Sequence, residues 1–259
     1  PYMASNASGS GKVTGDTFFN NNFVYYERNP HFHTLGSGIS NAKIKYMRYK
    51  VVDSDQIINA LANGDIDFGD PNATQENIQA AEAAGLGHVE IKTSGYGYVG
   101  INPRFIPSKS VRQAIMMAMN TVLIAENYYK GGLCELIYRP MSTTSWAYPT
   151  DATKPYYNYD STGYEIRALL EADGYQMGSD GIYKKNIEGF GEDRLGGQNY
   201  RMTIAGGSTD HPAYAMFLQA AKILNSAGME VKVVTSQTAL SDLSSGKLPI
   251  WAAAWSSTI

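Results

Sequence analysis

At 259 residues, with 43% apolar and only 17% charged side chains, the chain can bury a substantial core and has the size of one large α/β domain or two lobes. A formal net charge of -3 leaves no basic stripe for nucleic acid and no polybasic membrane patch, so no nucleic-acid partner is expected. The single cysteine, Cys134, excludes an intrachain disulfide, a thiolate metal site and a dithiol redox pair.

The chain begins with Pro1-Tyr2-Met3. Gly/Ser/Asn-rich stretches at 8–12 and 20–22 bracket Val13 to Phe19, which is predicted as a short strand entering a hairpin. Phe23 to Arg28 is a second strand, stopped at the Asn29-Pro30 turn. Ile44 to Val52 alternates as a strand. Asp53, Ser54 and Asp55 are candidate caps for a short helix carrying Ile57, Ile58 and Leu61, which Asn63-Gly64 ends. Ile66 and Phe68 read as the start of another strand. Asn72 to Ala84 is an Ala-rich helix closed by Gly85, and His88 to Ile91 is expected to resume the sheet.

Thr93 to Asn102 alternates small and aromatic residues with Val99 and Ile101, as a buried strand does. Pro103 and Pro107 stop it. Ser108 or Ser110 then caps a helix whose apolar residues fall at Val111, Ala114, Ile115, Ala118 and Met119. Val122 to Tyr129 continues helical up to Gly131-Gly132, and 140–155, with Trp146 and Tyr148, reads as an ordered irregular segment. A helix with Tyr164, Arg167, Ala168, Leu169 and Leu170 leading into Glu171, a hairpin around Gly178 to Gly181, a strand at Arg201 to Ala205 and a helix at Ala213 to Leu224 follow. A strand at Met229 to Val234, a short helix at Ala239 to Ser244 and a buried strand at Ile250 to Trp255 complete the pattern. The chain starts at Pro1 and stops just past an apolar strand, which reads as an excised or processed piece.

Few constellations carry chemistry. His31 and His33 share a strand face, but two ligands do not make a zinc site, and Asp65, Asp67 and Asp70 lack the spacing of a calcium loop. No metal or cofactor is expected. There is no nucleophile elbow, P-loop or dinucleotide fingerprint, since Gly95-x-Gly97 and Gly206-Gly207 are too short. Glu27, Glu90, Asp151 and Glu165 are available as glycosidase-type carboxylates, yet nothing in their spacing places them in one cleft. Met116, Met117 and Met119 are read as helix packing. No catalytic residue is assigned. Nineteen tyrosines and an aromatic share of 12% favour recognition in an amphipathic cleft. Tyr96 and Tyr98 lie two apart on one strand, hence on one face, beside glycines that permit close approach of a ligand backbone. Trp251 and Trp255 also share a face, a spacing that by itself favours core packing.

Several of these stretches resemble, in order, the extracellular solute-binding proteins, family 5, of peptide-type ABC importers. They are the Pro1-Tyr2 start, the strand ending Glu27-Arg28-Asn29-Pro30, the strand-helix unit from Lys43 to Asp70, and the tyrosine strand leading through Asn102 to Val111-Arg112-Gln113-Ala114. The irregular segment Pro140 to Pro155, the run Ala168-Leu169-Leu170-Glu171-Ala172 before Gly174-Tyr175, and the closing Trp strand follow. Asp173 departs from the family's pattern.

The resemblance implies an α/β, two-lobed, periplasmic-binding-protein-like (type II) architecture with mixed sheets, present here as an incomplete fragment. Residues 1–95 would be part of the first lobe, completed by segments missing from this chain, and 96–259 the second. The implied function is capture of a small solute such as a peptide outside the cell and its delivery to ABC permease subunits, by a lipid-anchored cell-surface or periplasmic protein that is not an enzyme. The family's strand ends in a Trp at the cleft, so Trp255 joins Tyr96 and Tyr98 as ligand-binding, with Ser256, Ser257 and Thr258 following. Thr258 stands where the family's peptide binders carry an aspartate for the peptide's amino terminus. A secreted hydrolase, revealed by turnover of peptides or glycosides, and a surface adhesion module, revealed by tight binding of a macromolecule, are the readings from other classes.

Overall fold

The computed structural model describes residues 1–32, 42–152, 154–206, 209 and 211–255, and divides into two compact units, Pro1–His88 and Val89–Ile259. His33 of the His31/His33 pair, and Ser256, Ser257 and Thr258, lie outside the described residues.

The first unit is a four-stranded antiparallel sheet, with a helical turn before its central hairpin and two further helices following the sheet in sequence. Strand β3 (Phe23–Arg28) is central. β1 (Tyr2–Ala4) and β2 (Phe19–Asn20) pair with its two ends along one edge, and β4 (Tyr46–Lys50) pairs along the other. The β2–β3 hairpin turns at Asn21 and Asn22, both at positive φ, which asparagine tolerates better than most residues. The expected strand from Val13 to Phe19 is a correction: Gly15–Phe18 is a helical turn, α1. Thr14 and Thr17 form a reciprocal capping box there, and those two local hydrogen bonds outcompete extended pairing. A 3-10 turn at Ser54–Gln56 leads into α2 (Ile57–Ala62) without a side-chain cap from Asp53, and Thr74 caps α3 (Gln75–Ala83). Ile66, Phe68 and His88 to Ile91 form no strand. Phe68 is 86% and Val89 84% exposed, and neither segment has a neighbouring strand among the described residues to complete a ladder.

The second unit is built on a mixed sheet of order β10-β9-β11-β5, where β5 is Tyr96–Ile101, β9 Arg201–Ala205, β10 Lys232–Ser236 and β11 Ile250–Trp255. β9 pairs in parallel with β10 and β11, and β11 pairs antiparallel with β5. The helix α6 (Tyr214–Ser226) connects β9 to β10, and α7 (Ala239–Ser244) connects β10 back across β9 to β11. Because parallel crossovers are right-handed, that reversal of direction sends α6 and α7 to opposite faces. α6 buries Phe217, Ala220 and Leu224 in the core with Met202, Ile204, Ile250 and Ala252.

α4 (Lys109–Met117) and α5 (Tyr164–Ala172) pack together and bury Val111, Ala114, Ile115, Ile166 and Leu170. The predicted helix at Val122 to Tyr129 is a π-helical turn at Ile124–Tyr129, and Lys130, Gly131 and Gly132 at positive φ end it. The hairpin at Gly178 to Gly181 gains a strand: β6 (Gln176–Met177), β7 (Tyr183–Ile187) and β8 (Gly191–Arg194) form a small antiparallel sheet. Asp193 at its rim is buried, with Tyr175 Oη 2.6 Å and Tyr200 Oη 3.0 Å away, both hydroxyls donating to it.

Candidate functional site

Cross-strand register fixes which side chains of β5 and β11 share a face. Val99 and Ile101 pack on the core with Ile250 and Ala252, so their alternating neighbours Tyr96, Tyr98, Gly100, Trp251, Ala253 and Trp255 all project from the opposite face. Trp255 lies directly across from Tyr96, Ala253 from Tyr98 and Trp251 from Gly100. The Tyr96 and Tyr98 rings are 6.1 Å apart at 55°, and Trp255 is 60% exposed at the strand end. Three of the six expected site residues are therefore brought together. Gly97 faces the other way, with Val99 and Ile101, and only the Ala253 carbonyl oxygen lies 3.9 Å from where its Cβ would sit. On the aromatic face the room at Gly100 is filled by the Trp251 indole. Trp251 was legible only as half of a four-residue spacing, which pointed to core packing.

Both ends of β5 are pinned. Before it, Lys92 pairs with Glu135 at 2.9 Å, Thr143 Oγ1 donates to Glu135 at 2.6 Å, and Ser142 Oγ donates to the Thr93 carbonyl at 3.3 Å. The Thr143 hydroxyl and then Lys92 hold the Glu135 carboxyl below its ordinary value. After it, Asn102 N–H donates to the Pro249 carbonyl at 2.8 Å and its side-chain amide to the Gly246 carbonyl at 3.3 Å, tying the strand to the approach of β11.

The conspicuous Val111-Arg112-Gln113-Ala114 motif is structural. Arg112 donates to the carbonyls of Ile106 at 2.8 Å and Pro107 at 2.6 Å, while Ser108 caps α4 through Val111 N–H. Ser108 Oγ also donates to Asp173 at 2.8 Å, and Lys185 pairs with Asp173 at 3.2 Å. The unusual Asp173 thus joins α4, the end of α5 and β7. Asp160 is buried and accepts from the N–H groups of Thr162, Gly163 and Ile166 and the Thr162 hydroxyl, fixing the start of α5. Burial pushes its carboxyl up, but those donors outweigh burial and hold it below the ordinary range.

Three buried or half-buried tyrosines and the one cysteine are held protonated. Burial and then Asp193 drive Tyr175 and Tyr200 far above any working pH, and burial followed by the Glu171 hydrogen bond pushes Tyr183 up to about 12. Burial, reinforced by Glu135, raises the Cys134 thiol and suppresses the thiolate. Glu27, Glu90, Asp151 and Glu165 are spread over β3, two irregular segments and α5. Among the described residues, no three His, Cys, Asp or Glu side chains converge on a metal position. The arrangement is suited to stacking and hydrogen bonding of a small molecule.

The profile of the bacterial extracellular solute-binding proteins, family 5 (middle region), matches residues 4–259. The chain belongs to this family. It is 29% identical over 172 residues to the oligopeptide-binding protein AppA of Bacillus subtilis (strain 168), covering 64% of this chain and 28% of AppA. Among solved structures it is similar to AppA in complex with a nonapeptide, at TM-score 0.70 and 23% identity over 92% of this chain and 45% of that one. NikZ from Campylobacter jejuni, in complex with Ni(L-His), gives 0.65 and 21% over 92% and 44%. DppA from Helicobacter pylori, in complex with the peptide STSA, gives 0.64 and 18% over 92% and 41%. The chain spans less than half the length of these solved proteins. The shared fold is the α/β type II periplasmic-binding-protein fold with mixed sheets, and these relatives are binding proteins.

Proposed function

We propose that the protein containing this chain is the extracytoplasmic solute-binding component of an ABC importer, capturing a peptide or similar small solute between two lobes and delivering it to a membrane permease. The observation that carries this reading is the aromatic face of half-buried Tyr96 and Tyr98 and exposed Trp255, opposite the core packing of Val99, Ile101, Ile250 and Ala252. Family membership supplies the class of activity, and the nonapeptide and STSA in complex with AppA and DppA favour a peptide. On this reading residues 1–95 contribute to one lobe and 96–259 form the other. Solute contacts to both shift an open-closed equilibrium by their differential affinity.

Tyr96, Tyr98 and Trp255 supply apolar and stacking contact, and Ser256, Ser257 and Thr258 neutral hydrogen bonds. Thr258 offers an ammonium no charge, and a buried ammonium without a counter-ion costs several kcal/mol. The preferred solute therefore lacks a free amino terminus, unless a carboxylate outside this chain supplies the charge. A lipoprotein or periplasmic location belongs to the same reading. No helix among the described residues is long and apolar enough to cross a membrane.

Native mass spectrometry of the full-length protein, purified without denaturation, is expected to show a bound solute of peptide mass. Solute-free protein that hydrolyses peptides or glycosides would overturn the reading. Calorimetry with N-acetylated and unmodified peptides tests the second point: strong preference for the free amine, persisting after carboxylates beyond Ile259 are neutralised, would sink it.

A further inference from the structure

The three cross-strand rows on the aromatic face are filled unequally. Trp255 and Tyr96 are both large, Ala253 leaves space beside Tyr98, and Trp251 lies across a residue with no side chain, Gly100. A Cβ added at Gly100 would overlap Cε2 and Cζ2 of the indole and lie 2.7 Å from Nε1. The ring is therefore laid flat on the sheet over the Gly100 backbone, with the buried Thr203 of β9 opposite it on the other side.

No hydrogen bond holds it there: Nε1 of Trp251 is buried and has no partner among the described residues. A buried donor left unpaired is destabilising. The flat position is thus kept by the shape of its seat, against a penalty that outward movement would relieve. Position 100 projects from the same face, so a side chain there drives the ring off its seat and outward.

We infer that Gly100 is a positioning residue that stows Trp251 flat and so sets the depth of the solute site, keeping it open to bulky side chains. This rests on the functional reading above. In the full-length protein labelled with fluorotryptophan, the fluorine NMR signal of Trp251, assigned by its loss in Trp251→Phe, reports the seat without any solute. Gly100→Ala is expected to move that signal and enlarge its shift between light and heavy water. By calorimetry, the affinity for N-acetyl-trileucine is expected to fall at least about tenfold, and that for N-acetyl-triglycine less than about threefold, since pocket fit discriminates by bulk. Adding Trp251→Ala to Gly100→Ala is expected to restore trileucine binding, which also guards against a folding defect in the single variant. An unmoved Trp251 signal overturns the seat. Equal losses for both peptides, or no restoration in the double variant, overturn the role in depth. A parent protein that binds neither peptide counts against the peptide reading, while the NMR comparison still decides the seat.

Discussion

In the second unit, Met202, Ile204, Phe217, Leu224 and Ile250 are completely buried, whereas the first unit buries only Ala60 and Ala81 among its described apolar residues. It leaves Phe19, Tyr46, Tyr49, Val51 and Phe68 more than half exposed. Both units carry the same local signals of alternation, caps and turns. The first is held by strand ladders and edge-on ring contacts, Phe18 to Tyr26 at 5.4 Å and Tyr26 to Tyr49 at 5.6 Å. A sheet needs its apolar face covered to be stable, so regular secondary structure and a supporting core are separate achievements.

The sharpest way to break that contrast is to truncate one aromatic in each unit. Phe217→Ala is expected to cost about 3–5 kcal/mol in urea unfolding, and Phe68→Ala no more than about 0.5. Comparable costs would refute the contrast. Limited proteolysis of this chain is expected to leave a product beginning near Tyr96 as the more resistant piece; a more resistant first unit would reverse the comparison.

Asp160→Ala should come next, at about 1–2 kcal/mol, because it removes the cap of α5 inside the well-packed unit. The sign of its pH dependence follows from the lowered carboxyl. Its contribution is present above the unfolded value of about 3.9 and is lost as pH falls through the lower folded value. Unfolding of the parent should therefore show an acid-side loss in that window that Asp160→Asn lacks. Trp255→Ala separates binding from stability: affinity should drop about tenfold, near 1.4 kcal/mol, with Tm unchanged because the ring is exposed. Unchanged affinity would remove Trp255 from the site. The smallest effect is expected for Glu135→Gln, whose carboxylate is exposed: thermal melts should not distinguish it from the parent, since solvent screens such pairs.

Much of this was legible locally. The Ser108 cap, the apolar stripe of α4, and the strands at Tyr96 to Ile101 and Ile250 to Trp255 are written in period and capping chemistry. Errors arose where a local pattern needed a distant partner or a local rival won. Ile66 to Phe68 and His88 to Ile91 look like strands but pair with no strand among the described residues, and Thr14 with Thr17 turned an alternating stretch into a helical turn. Tyr96 and Tyr98 were predicted to share a face because strand side chains alternate.

What the sequence by itself determined is therefore most of the elements, the family, and which residues on each strand point the same way, since these depend on near neighbours. The tertiary structure decided which face is which. Only the antiparallel register of β5 with β11 shows Trp251 lying over Gly100 and Trp255 across from Tyr96. Those residues are far apart in the chain, and the steric fit between a glycine and an indole on another strand leaves no periodic trace in either segment.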